Sequence, residues 1–125
     1  MTKLRNLFKC DICGNVVEVV HTGALSLVCC GQPMVKLTAK TEEGGYEKHV
    51  PVITTFGEGI LVAVGSVPHP MEEKHAINFI EAITSDKVHR AELTVGQKPE
   101  AVFAVKKEDV VKVRAYCNIH GLWKK

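Results

Sequence analysis

The sequence predicts a mainly β chain: an antiparallel β-sandwich, preceded by a short segment too small to hold itself together by burial alone. Three observations carry this. From about residue 38 onward, short apolar-rich runs alternate with turn residues at regular intervals. No segment sustains the periodicity of an amphipathic helix. Residues 1–37 hold four of the five cysteines and little apolar material.

In that first unit, Val16, Val17, Val19 and Val20 make one apolar run, and Leu25, Leu27 and Val28 make another. His21-Thr22-Gly23-Ala24 reads as the turn between them. Two strands joined by a turn do not stand alone in water. A segment of this size needs a metal or an oligomeric partner.

The second unit spans residues 38–125. Val52–Phe56 and Ile60–Val64 flank a Gly57-Glu58-Gly59 turn, and further strands are predicted at Ala76–Ile83, Val88–Val95, Ala101–Val105 and Val110–Cys117. Thr84-Ser85-Asp86, Gly96-Gln97-Lys98-Pro99 and Lys107-Glu108-Asp109 separate them. Strand alternation puts Val111, Val113, Ala115 and Cys117 on one face, and Lys112, Arg114 and Tyr116 on the other. The same parity joins His75 to Ile77 and Phe79. Cys117 and His75 therefore sit at strand ends, where a rigid sheet can hold them.

With 46% hydrophobic and 24% charged residues, the chain has a soluble globular composition. Its net charge of +2, with no basic run interleaved with aromatics, gives no reason to expect a nucleic-acid partner. No signal peptide or membrane span is evident, so no membrane partner is expected and cytoplasmic residence is the default. In a reducing cytosol, five cysteines read as metal ligands or redox groups before disulfides.

Cys10 and Cys13 form a C-x2-C knuckle, and Cys29-Cys30 complete four thiolates, a strong signal for zinc or a single iron. Ligand type alone does not separate the two metals. Adjacent side chains point apart, so binding one ion through both Cys29 and Cys30 should distort the tetrahedron.

Cys117-Asn118-Ile119-His120 places a thiol three residues from an imidazole, after His49, His69 and His75. Pro68 and Pro70 stiffen the loop that presents His69. His21 and His89 lack ligand-like neighbours and read as ordinary histidines. Four histidines and one cysteine exceed what a structural zinc needs; they point to a nitrogen-rich redox centre with one sulfur ligand.

The whole arrangement runs from C-x2-C and Cys29-Cys30 through Glu47-Lys48-His49, Pro68-His69-Pro70 and His75 to Cys117-Asn118-Ile119-His120. It resembles desulfoferrodoxin, the two-iron form of superoxide reductase, over essentially the whole chain. That resemblance implies a desulforedoxin-like domain at 1–37 with one iron on Cys10, Cys13, Cys29 and Cys30. It also implies an immunoglobulin-like sandwich at 38–125 with a second iron. There His49, His69, His75 and His120 would be equatorial and Cys117 axial. Lys48 would guide superoxide electrostatically, and Glu47 would fill the remaining position in the oxidised form. The implied reaction is one-electron reduction of superoxide to hydrogen peroxide without oxygen release. Electrons would come from a rubredoxin-like donor, and the family is typically a homodimer. Two other readings predict different behaviour. An electron carrier or redox sensor would oxidise reversibly without fast reaction with superoxide, and a zinc-binding structural module would be colourless.

Overall fold

The computed structural model describes residues 2–24, 26–41, 49–66 and 69–125; the expectations placed on Leu25, Glu47, Lys48 and Pro68 lie outside these residues. The chain divides into two compact units, Met1–Thr38 and Ala39–Lys125.

In the first unit, β1 (Leu7–Lys9) sits between β2 (Val16–Glu18) and β5 (Val35–Lys36) in an antiparallel sheet. Strands β3 (Val28–Cys29) and β4 (Gln32–Pro33) form a separate hairpin. Strands of two or three residues leave no readable alternation, which is why β1, β4 and β5 are not evident in the sequence. Among the described residues, the buried apolar side chains of this unit are Leu7, Cys10 and Val19. So small a core cannot offset the entropy of ordering the segment, so an added cross-link is needed.

The second unit is a sandwich of two antiparallel sheets. Strands β6 (Pro51–Phe56), β7 (Gly59–Val64) and β10 (Glu100–Phe103) are ordered β10-β7-β6. Strands β8 (Ile77–Ile83), β9 (Val88–Glu92), β11 (Lys112–Cys117) and β12 (Gly121–Lys124) are ordered β12-β11-β8-β9. A two-residue loop joins β6 to β7, and Gly57 within it has φ +59°, as primed hairpin turns require. Ile60, Val62 and Val64 of β7 pack with Phe103 of β10, Ile77, Ile80 and Ala82 of β8, and Val113, Ala115 and Cys117 of β11. Burying each of the larger side chains contributes about 1.5–3 kcal/mol.

Two local expectations differ. Val111 is exposed rather than on the apolar face, because β11 begins only at Lys112. Pairing runs Tyr116↔Phe79 and then Cys117↔Ile77, so Asn78 is an extra residue in β8. This bulge resets the alternation. Ile77, Ile80 and Ala82 share the core, while Phe79 stacks on Tyr116 at 5.6 Å. Glu81 and Arg114 pair directly across β8 and β11, and both are buried in a 2.6 Å ion pair. Arg90, opposite Glu81 on β9, approaches its second carboxylate oxygen at 3.6 Å.

Candidate metal centres

The bulged end of the four-stranded sheet gathers the histidines. Cys117 ends β11, and Gly121 opens β12 directly opposite it, leaving the three-residue loop Asn118-Ile119-His120. Gly121 has φ +86°, which a three-residue hairpin accommodates best with glycine. The loop folds back so that the His120 N–H donates to Cys117 Sγ at 3.4 Å, with Nδ1 3.8 Å from the same sulfur. His75 lies two residues before β8, held by reciprocal main-chain bonds with Glu72 of 2.9 and 3.2 Å. His49 lies two residues before β6.

One ligand atom from each of His49, His69, His75, Cys117 and His120 lies within 4.8 Å of the others. Cys117 is fully buried, while His120 is exposed. Four of the imidazole pairs meet edge to face, with ring centres 4.7–5.1 Å apart.

Several features favour a cation here. Nε2 of His69 and Nε2 of His75 are buried with no hydrogen-bond partner among the described residues. Leaving such an atom unsatisfied costs about 1–3 kcal/mol. His69 Nδ1 lies 2.7 Å from the Pro70 carbonyl. Donation to that oxygen puts the proton on Nδ1 and leaves the Nε2 lone pair for a metal. Burial lowers the His69 pKa to about 4; the Pro70 carbonyl opposes that shift, and the other three imidazoles add to it. The ring is thus neutral and ready to ligate at neutral pH. Nitrogen ligands about 2.1 Å from a divalent ion and at right angles stand about 3 Å apart. His49 Nε2 and His120 Nδ1 are 3.1 Å apart.

In the first unit, Cys10 closes β1 and Cys13 follows on a tight knuckle, where the Cys13 N–H donates to Cys10 Sγ at 3.5 Å. Cys30 and Gly31 form the two-residue loop between β3 and β4, with φ +53° and +74°. Positive φ at both positions defines a type I′ turn. A left-handed cysteine costs about 1–3 kcal/mol. That conformation lets adjacent cysteines face one centre, which an extended chain would forbid. Cys29 Sγ lies 3.5 Å from Cys13 Sγ and 4.0 Å from Cys30 Sγ. Thiolates about 2.3 Å from a tetrahedral ion stand about 3.8 Å apart, and the 3.5 Å separation is far from the ~2.05 Å of a disulfide. The Cys13 backbone N–H lowers the Cys10 thiol to about 6, whereas hydrogen bonding to Cys13 and Cys10 pushes Cys30 up to about 12. Cys29 is raised for the same reason. Four thiols this close do not all ionise unless a cation balances them.

All nine sequence-predicted ligands thus fall into two clusters whose donor sets fit two irons. His21 and His89 lie apart: His21 lines a cavity of about 540 Å³ in the first unit, and His89 a polar one of about 430 Å³ in the second. Glu47 and Lys48 lie outside the described residues. The structure adds groups the sequence did not single out. Asn118 accepts the Ala76 N–H at 3.0 Å and donates to the Lys74 carbonyl at 3.1 Å, clasping His75 on both sides. The Ile77 N–H donates to Met71 Sδ at 3.4 Å. Trp123, buried on β12, stacks on His49 with ring centres 4.8 Å apart and planes 19° apart. No spacing rule would have found Asn118 or Trp123, because each is a single residue acting on a partner distant in sequence.

Known proteins resemble the chain along its length. Residues 39–125 match the family model described as desulfoferrodoxin, and residues 2–37 match the desulfoferrodoxin N-terminal domain. A desulfoferrodoxin homolog of Methanothermobacter thermautotrophicus is 54% identical over 98% of this chain and 99% of its own. The desulfoferrodoxin of Nitratidesulfovibrio vulgaris is 50% identical over 94% of this chain and 93% of its own. A superoxide reductase of Pyrococcus abyssi is 36% identical over 72% of this chain and 94% of its own. Among solved structures, the superoxide reductase from Treponema pallidum superposes with a TM-score of 0.80 at 28% identity, covering 96% of each chain.

Proposed function

The chain belongs to the desulfoferrodoxin family and has the superoxide reductase fold, and from that premise we propose that it reduces superoxide to hydrogen peroxide without releasing oxygen. The observation that carries the reading is the convergence of His49, His69, His75, Cys117 and His120 on one point. These five would hold a ferrous ion, which would supply the single electron. Superoxide, that electron and two protons balance as one hydrogen peroxide.

The chain's own residues account for the rest. Four neutral imidazoles and one thiolate contribute one negative charge, so a divalent ion among them keeps net positive charge and draws in an anion. Burial holds His69 neutral, which preserves that balance. The buried Cys117 sulfur is shielded from water, whereas His120 is exposed and marks the solvent side of the centre. Lys48 is assigned to guiding superoxide and delivering a proton through water. Glu47 is assigned to the ferric resting state. Cys10, Cys13, Cys29 and Cys30 are assigned to a second iron. A rubredoxin-like protein serves as donor, a homodimer as the working form, and the cytoplasm as the location. Among the described residues, no helix is long and apolar enough to cross a membrane.

Rapid mixing of anaerobically reduced, iron-loaded protein with superoxide tests the reading. Iron oxidation should be first order in superoxide, and Lys48→Ile should slow it and weaken its salt dependence. Superoxide decaying only at its spontaneous rate would overturn the assignment.

A further inference from the structure

Lys40 is exposed, yet little of its geometry is left to its flexible stem. The Lys40 N–H donates to the Leu122 carbonyl, and the Lys124 N–H donates to the Lys40 carbonyl, each at 2.9 Å. These bonds bracket Trp123, so the Lys40 backbone is fixed as a parallel bridge beside β12. From there its ammonium donates to the His120 carbonyl at 3.1 Å and stands 5.0 Å from the Trp123 ring centre. Trp123 in turn stacks on His49. One cation therefore touches the main chain of one candidate ligand and the aromatic ring that supports another.

We infer that Lys40 is a positioning residue of the four-histidine, one-cysteine centre, and that its fixed charge favours the reduced state of the metal held there. The inference rests on the functional reading above for the identity of the metal. Oxidation of a ferrous ion adds one positive charge to the site. A neighbouring ammonium opposes that addition. The cation–π contact and the carbonyl hydrogen bond keep the charge from swinging away.

The test is the midpoint potential of the histidine-site iron in full-length, iron-loaded protein, read spectroscopically without superoxide. Lys40→Met should shift the equilibrium about tenfold toward ferric iron, a fall of about 59 mV for one electron. Lys40→Arg keeps the charge and should stay within about twofold of the parent. Lys107→Met, in the turn between β10 and β11, removes an equal charge from outside the cluster and should change nothing. An unshifted Lys40→Met, or a Lys40→Arg variant displaced as far as Lys40→Met, would overturn the inference. A parent that fails to reduce superoxide would instead sink the functional reading and leave this comparison intact.

Discussion

Asn118→Ala tests how the sandwich positions its candidate ligands. Its amide makes two hydrogen bonds to the main chain on either side of His75, to Ala76 and to Lys74. Each is worth about 0.5–1.5 kcal/mol net, so the pair contributes about 1–3 kcal/mol to holding that segment against the Cys117 loop. If the centre must restore this geometry on binding, the loss converts to about a 5- to 150-fold drop in metal affinity. That range brackets the 10- to 100-fold typical when groups supporting a ligand are removed. The assay is titration of reduced protein with a chromophoric chelator, following the two centres by their separate absorption. Asn118→Ala should lose metal from the histidine centre at lower chelator concentration and leave the four-cysteine centre unchanged. Lys74→Ala is the control, because only the Lys74 main-chain carbonyl takes part. An Asn118→Ala protein within twofold of the parent, or one losing both metals together, would refute the reasoning.

Two further predictions concern the sandwich itself. Gly59→Ala would put a Cβ inside contact distance of the Phe103 carbonyl oxygen across the β7–β10 pair. Backbone must then shift, at a cost of about 1–3 kcal/mol; the urea midpoint followed by Trp123 fluorescence should fall, and an unchanged midpoint would contradict the packing described. With the histidine centre stripped of metal, His69 has a folded-state pKa of about 4, below its ordinary 6.5. The unfolded chain then takes up the proton first, so the His69 contribution is fully present above pH 6.5 and is lost as pH falls through 4. The loss is at most roughly 3 kcal/mol, and a urea midpoint that rose on acidification across this window would have the wrong sign.

The parts of this molecule legible in the sequence are those with a short-range signature. Alternation and turn residues located β6 to β11 of the sandwich but not β12. The two runs flanking Gly57-Glu58-Gly59 do form a hairpin, with Gly59 already paired in β7 and only Gly57-Glu58 in the loop. Cysteine and histidine carry ligand chemistry in their identity, so Cys10, Cys13, Cys29 and Cys30 stand out by residue type and spacing, whereas His49, His69, His75, Cys117 and His120 stand out as a set through the order and spacing shared with desulfoferrodoxin. What stayed hidden depends on geometry at a distance. The Asn78 bulge that turns Phe79 away from the core arises from pairing with β11, not from any property of Asn78 alone. The apparent conflict at Cys29-Cys30 is resolved by a left-handed backbone at Cys30, a conformation its residue type does not announce. His120 presents Nδ1 where His49 presents Nε2, a difference that residue type does not announce. Lys40, Asn118 and Trp123 gain their roles only when β12 and the Cys117 loop close on the histidines.

The central claim, that the five-residue centre reduces superoxide rather than dismutating it, is tested most directly by product stoichiometry. Anaerobically reduced protein given a limited pulse of superoxide should yield one hydrogen peroxide per superoxide, evolve no oxygen and oxidise its iron in step. Half that peroxide with oxygen evolved would contradict the account and make the protein a dismutase.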